Sequence, residues 1–275
     1  MKTEENKLVA AKKDISAQVL SKIETFKASG ELTLPKDYNP ENALKSAYLI
    51  LAETKNREGK LALEYCSQES IANALLKMCV WGLSPMKKQC YFIMYGDKLQ
   101  CTPDYTGNIA MAKRYANMKE IKANAIHEGD VFEFEIDINT GRKKILKHTQ
   151  TLESIGSKNI LGAYAIYEMN DGTFDTEIMN INQIKDAWNQ GQMKGASPAH
   201  KNFPDRMSRK TVINRACDAL IRSSDDKALY EDEEEREPID VTHSDVQHEI
   251  KTKANKETLD FSKTEEATVE EIETV

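Results

Sequence analysis

The sequence predicts an α+β fold: an antiparallel β-meander or set of hairpins packed with helices, followed by a disordered acidic C-terminal tail. Three observations predict it. Short strand-like runs joined by Gly-containing turns fill residues 89–102 and 121–179, and tight turns make their neighbours antiparallel. Stretches with apolar residues at helical spacing gather before and after those runs. Charge is also segregated. Residues 225–275 hold 18 Asp/Glu against 6 Lys/Arg, whereas residues 1–224 hold 27 acidic and 32 basic side chains. A tail of such charge repels itself and has little to bury. Three units follow: 1–30, an N-terminal helix; 31–224, the α+β core; and 225–275, the acidic tail.

The elements can be justified in order. Residues 1–30 are Lys-rich, with a thin apolar stripe of Leu8, Ile15, Val19 and Ile23 and with Gly30 at the end. So thin a stripe suits docking on a neighbouring subunit better than on the chain's own core. A helix near Asn42 places Leu44, Ala47, Tyr48 and Leu51 at helical spacing, and another over Gln68–Trp81 buries Ile71, Ala74, Leu75 and Met78 before Gly82 stops it. Gln89–Tyr95 and Lys98–Thr102 flank a two-residue Gly-Asp loop and read as a hairpin. Asp104 caps a helix from Tyr105 to Tyr115, with Ile109, Ala112 and Ala116 inward. Strands follow at 121–126, 131–138 and 142–148. In the middle one Phe132, Phe134, Ile136 and Ile138 share a face, opposite Glu133, Glu135 and Asp137. Strands at 161–167 and 173–179, a helix with Ile181, Ile184 and Trp188, and a basic loop over 190–203 come next. The last helix runs from Pro204 to about Arg222 with Val212, Ile213, Ala216 and Leu220 inward.

Composition removes several function classes. Apolar residues make up 40% and charged residues 30%, and no run of 18 apolar residues exists, so no membrane span is expected. The N-terminus lacks the apolar stretch of a signal peptide. Cysteines at 66, 79, 90, 101 and 217 form no CxxC pair, which suits buried, reduced thiols and a cytoplasmic setting. There is no phosphate-loop pattern, no GxGxxG after a strand, no GxSxG elbow and no histidine pair at metal spacing, so no cofactor is expected. One catalytic alternative remains: a magnesium-dependent nuclease using Asp104, Glu120 and Lys122, since Pro103-Asp104 and Glu120-Ile121-Lys122 fit a loose PD…ExK pattern. The helical stretch between them, where such nucleases want strands, argues for Asp104 as a cap and Glu120 as a surface residue. The row Glu133, Glu135, Asp137 reads as a wet hairpin face before it reads as a metal site.

Positive charge gathers in four places: Lys87, Lys88 and Lys98; Lys113 and Arg114; Arg142, Lys143, Lys144 and Lys147; and Lys201, Arg206, Arg209, Lys210 and Arg215. Singly, each reads as a solvated surface. Together, and interleaved with Tyr91, Phe92, Tyr95, Tyr105 and Phe203, they suit single-stranded nucleic acid, whose phosphates need cations and whose unpaired bases need flat or apolar faces. Core packing competes as the role of Phe92 and Tyr105. No helix-turn-helix or zinc finger is present to read base edges, so binding should be independent of sequence and sensitive to salt. A scaffold protein whose basic surface is incidental is the third reading.

Residues 82–114, GLSPMKKQCYFIMYGDKLQCTPDYTGNIAMAKR, resemble the signature of the RecT family: Gly-Leu-x-Pro, a Cys-Tyr-aliphatic strand, a Tyr-Gly turn and a Tyr-x-Gly helix ending in basic residues. The strand pair from Ile126 to His148 resembles the family's central hairpin, and Pro204-x-x-Met207-x-x-Lys210-Thr211-Val212-Ile213-x-Arg215 its last helix motif. The match runs over about residues 40–224. It departs at Asn202-Phe203, where members often carry Trp, and at Thr106, where they often carry Arg. The resemblance implies a phage or prophage recombinase, active in DNA recombination and repair, that anneals complementary strands without ATP and has single-stranded DNA and the annealed duplex as partners. It implies homo-oligomeric rings or helical filaments, a phage exonuclease as partner, and contact with host single-strand binding protein. The core 31–224 is then the annealing unit and the helix 1–30 a subunit contact. No covalent chemistry and no required cofactor are implied, though magnesium has room to assist. Tyr91, Tyr95 or Phe203 are the candidate wedges between bases, and the basic side chains named above the candidate phosphate ligands.

Overall fold

The computed structural model describes residues 2–224 except Arg57 and Gln192; in the first helix, α1 (Lys2–Ala28), side chains are described from Ile15 onward. The acidic tail, residues 225–275, and the expectation of disorder there lie outside the described residues.

Helices α1, α2 (Pro40–Glu53) and α4 (Gln68–Val80) pack together around the first hairpin, β1 (Cys90–Tyr95) and β2 (Lys98–Pro103). The short α3 (Ala62–Tyr65) and a 3-10 turn, Pro85–Lys87, fill the connections. The local causes are those expected. Asn39 accepts from Asn42 N at 2.9 Å ahead of Pro40, and Ser67 caps α4 by accepting from Ser70 N. Tyr95 pairs with Lys98, which leaves Gly96-Asp97 as the two-residue turn, with Gly96 at φ 63°. The stripe on α1 departs from expectation. Ile15, Val19 and Ile23 are buried in the chain's own core, where α1 packs against α4 and α2.

The second half is built on a three-stranded antiparallel sheet in the order β3 (Met118–His127), β6 (Ile160–Met169), β7 (Phe174–Asn180). Ala123 pairs with Ala165 and Ala125 with Ala163, so four small side chains make one flat patch. The long helix α9 (Pro204–Arg222) crosses β6 and β3, and α5 (Tyr105–Tyr115) lies beside it. Small residues let a helix approach a sheet closely, which is why a 19-residue helix of low overall apolarity packs here. On α5 the buried residues are Gly107, Met111 and Ala112, while Ile109 and Ala116 are only half-buried. α7 (Ile181–Gln190) and α8 (Pro198–Asn202) complete this half, and the five cysteines are buried and form no disulfide.

The strand run does not form one meander. β4 (Val131–Ile136) and β5 (Lys143–Thr149) leave the sheet after β3 and make a separate two-stranded ribbon before the chain returns through α6 (Leu152–Gly156) to β6. Of the four residues expected to share an inner face, only Phe132 meets the body, stacking on Tyr164 at 5.4 Å between centroids. A register shift follows between Glu133 and Phe134. Beyond it Phe134 and Ile136 are exposed, and Ile138 lies past the strand at 94% exposure.

The ribbon is latched at its root by polar side chains. Asp130 Oδ2 accepts from His127 N (2.7 Å), Gln150 Nε2 (2.8 Å) and His148 Nε2 (3.2 Å). His148 Nδ1 meets the Tyr164 hydroxyl at 2.9 Å, and Asn124 donates to the same hydroxyl. Burial by itself would raise the Asp130 carboxyl. The hydrogen bonds from Gln150, Ser154, His127 and His148 outweigh it and hold the group below the usual carboxylate range. A carboxyl lowered in the folded state stabilises above its unfolded value, about 4, and that stability is lost as pH falls further. Asp130→Ala is therefore expected to cost about 3 kcal/mol in chemical denaturation at neutral pH, by leaving several buried donors unpaired. It is also expected to flatten the acid side of the Tm–pH profile. An unchanged profile would remove the latch role.

Candidate nucleic-acid interface

The first hairpin, α5 and α9 meet at one place. Asp104, the residue before α5, donates its backbone N–H to the Gln89 carbonyl at 2.9 Å, which ties the start of the helix to the root of β1. The Thr106 hydroxyl reaches the Lys88 carbonyl oxygen (3.0 Å) and the Asp104 carboxylate (3.3 Å). Lys210 on α9 places its Nζ 4.9 Å from the centroid of Tyr105. One turn further on, Asn108 Nδ2 donates to Asn214 Oδ1 at 3.1 Å. These two contacts advance in the same direction along both helices, so α5 and α9 are parallel. α9 starts six residues ahead of the position beside Tyr105, about 9 Å of helix, and carries Arg206 and Arg209 into that overhang.

The electrostatics of this junction are uneven. Asp104 is only 7% exposed, and burial raises its carboxyl above the ordinary value while the nearby Lys210 ammonium opposes the rise. Burial likewise pushes the Tyr91 phenol up to about 12, with the Asp104 charge adding to it, so Tyr91 stays neutral beside the cluster. Among the described residues no ion pair engages Lys87, Lys88, Lys201, Arg206 or Lys210, whereas Arg209 is paired with Asp205 at 2.9 Å. Phe203, between α8 and α9, is 58% exposed, and Met86, beside Lys87, is 62% exposed.

A second basic stretch joins this one through a carboxylate. Glu177 on β7 lies 3.5 Å from Arg215 of α9 and 3.8 Å from Lys143 of β5. The ribbon's cations and those of α9 are thus brought to one edge of the sheet. Lys144 is paired with Glu135 across the ribbon at 3.9 Å, Lys147 stands opposite Glu133, and Arg142 is exposed at the turn.

The remaining candidates fall elsewhere. Arg114 donates to the carbonyl oxygens of Trp81 and Gly82, where it satisfies the end of α4. Lys113, on the same turn, lies near Glu120. Tyr95 is 8% exposed, which leaves no ring face for a base, and Phe92 is core. The Nζ of Lys98 is enclosed and without a hydrogen-bond partner. These differences have one cause: the hairpin turn is packed under α4, with Ser70 Oγ accepting from Leu99 N. Sequence reasoning missed Met86, Thr106, Asn108 and Asn214. The one signal for Thr106, Asn108 and Asn214 was a polar side chain within an otherwise apolar helix, and Met86 gave none.

The nuclease set is not assembled. Asp104 precedes the first turn of α5, whereas Glu120 lies on β3 beyond the helix's other end, near Lys113 of its last turn. Glu120 and Lys122 pair with each other at 2.8 Å. Among the described residues no group of three or more His, Cys, Asp or Glu side chains is placed to hold a metal ion, and no helix is long and apolar enough to cross a membrane.

The RecT family model matches residues 41–247. The chain belongs to the RecT family. It is 25% identical to Protein RecT of Escherichia coli (strain K12) over 261 residues, covering 89% of this chain and 90% of that one. It is also 26% identical to the uncharacterized protein YqaK of Bacillus subtilis (strain 168) over 167 residues, 58% of this chain and 54% of that one. The RecT signature read at residues 82–114 spans the β1–β2 hairpin and α5, and its Tyr-x-Gly element has a structural reason. Gly107 faces the Gln89 backbone so closely that a Cβ would sit 2.1 Å from its carbonyl oxygen.

Proposed function

We propose that this RecT-family chain binds single-stranded DNA along the α5–α9 junction and anneals complementary strands without nucleotide hydrolysis or covalent chemistry. Family membership supports a role in recombination by strand annealing. The observation that carries the site is Lys210 over Tyr105, with the Lys88 carbonyl tied to Thr106 one residue on and Arg206 one turn ahead of Lys210 on α9; Phe203 before α9 and Met86 before Lys87 are exposed. Cations at that spacing suit phosphates, and releasing condensed counterions supplies affinity. Phe203, with Met86, suits the faces of unstacked bases. The edge formed by Lys143, Arg215, Lys144 and Lys147 extends the track toward the next copy in a ring or filament, with Glu177 as the internal spacer between its cations.

A strand held by its backbone leaves base edges open to a second strand. Each duplex step returns about 1.4 kcal/mol of stacking, so a short matched run pays for displacing protein contacts. A phage exonuclease would supply the single strands, and host single-strand binding protein is the competitor to be cleared. Both follow from the annealing role. Mixing complementary oligonucleotides with the purified chain, without nucleotide or magnesium, is expected to speed duplex formation at least tenfold. Annealing at the protein-free rate would overturn the proposal.

A further inference from the structure

The most basic end of α9 and the most acidic part of the chain are held at a fixed tether length. α9 ends at Arg222, and Ser224 is the last described residue. Residues 225–240 contain nine Asp/Glu and two Lys/Arg, and 231–235 are five carboxylates in succession. From Ser224 back to Lys210 is about 21 Å along a helix, and to Arg206 about 27 Å. Seven extended residues, 225–231, span up to about 24 Å. The acidic run therefore begins at the reach of Lys210 and continues to that of Arg206.

Two further forces favour the same place. The C-terminal end of a helix carries partial negative charge and repels Asp225 and Asp226, whereas its N-terminal end attracts anions. Arg206 and Lys210 also lack an ion-pairing partner among the described residues, and the Asp104 carboxylate near Lys210 is buried. A short tether raises the local concentration of the acidic run to the millimolar range, enough for a weak multivalent contact.

We propose that residues 231–235 fold back onto the N-terminal end of α9 and occupy the phosphate positions of Arg206 and Lys210 until single-stranded DNA displaces them. This rests on the nucleic-acid reading of the site. It makes the tail a built-in competitor. A short or weakly held strand fails to displace it, while a long strand engaging several copies succeeds.

The test uses the full chain. A variant carrying E231Q, D232N, E233Q, E234Q and E235Q is compared with one carrying E265Q, E266Q, E270Q, E271Q and E273Q, which loses the same charge farther along the tail. The first is expected to bind oligo-dT about tenfold more tightly than the unmodified chain at 50 mM salt, with the difference gone at 300 mM, and the second to change little. Equal tightening by both variants would mean that net charge, not docking, is responsible, and would overturn the proposal, as would no change in either. If none of the three chains binds oligo-dT, the function itself fails. A second measurement needs no DNA. The five native cysteines are buried, so a benzophenone maleimide will label E233C selectively. Cross-links are expected to residues 201–210 or 85–91 of the same chain, and cross-links solely elsewhere would overturn the docking.

Discussion

Neutralising Lys87, Arg206 and Lys210 together with glutamine is expected to weaken single-stranded DNA binding about a hundredfold at 0.1 M salt while leaving the fold intact. Each phosphate contact to a single strand contributes about 0.7 to the slope of log affinity against log salt. At 0.1 M that is about a fivefold factor per contact, and three contacts multiply to about a hundred. The slope itself should fall by about 2. Lys87 and Arg206 are exposed and outside the ion pairs of the described residues, so their loss costs the fold little. Lys210 covers Tyr105 and stands near Asp104, and glutamine keeps part of the aliphatic stem that lies over the ring. Equal affinity and equal slope in a fluorescence-anisotropy salt titration would place the interface elsewhere. Lys113→Gln with Arg114→Gln provides the contrast. Those residues sit away from the junction, and Arg114 supports the end of α4, so the pair should lower Tm more than it lowers the salt slope.

Gly107→Ala is expected to be the most damaging single change of one methyl group. The added Cβ would lie 2.1 Å from the Gln89 carbonyl oxygen, and that oxygen already accepts from Asp104 N. Neither backbone can retreat without giving up the bond that ties α5 to β1. Overpacking against backbone costs about 3 kcal/mol or more, which for a chain of this size is a fall in Tm on the order of 10 °C. The damage should reach function as well, since a displaced α5 carries Tyr105 away from Lys210 and separates the hairpin's cations from those of α9. Gly156→Ala is the control: nothing lies within 4 Å of its added Cβ, and its Tm should stay within about 1 °C. If Gly107→Ala melts with the unmodified chain, the close approach of α5 to β1 is not what the Tyr-x-Gly element secures.

The latch at Asp130 connects these two predictions to the ribbon. Its carboxylate holds the root of β4 and β5 on the sheet, and Glu177 ties the turn end of the ribbon, through Lys143, to Arg215 of α9. The ribbon's exposed apolar face, Phe134 and Ile136, is thereby presented in a set orientation.

Read alone, the amino-acid sequence determined the features whose causes are local. Caps marked α2 and α4, apolar spacing marked α5 and α9 as well although neither has a side-chain cap, Gly96-Asp97 marked the first hairpin, and residues 82–114 marked the family. Tertiary structure decided the rest, because burial depends on which element lies opposite. The α1 stripe found its groove on α4 and α2, and four alanines from β3 and β6 made the bed for α9. β4 and β5 left the sheet because β6, not β4, pairs with β3. The same dependence sorted the aromatics and cations. Tyr95 and Lys98 are enclosed beneath α4, whereas Lys210 and Tyr105, which look no more significant in the sequence, meet where two parallel helices start out of step, with Phe203 exposed ahead of the longer one.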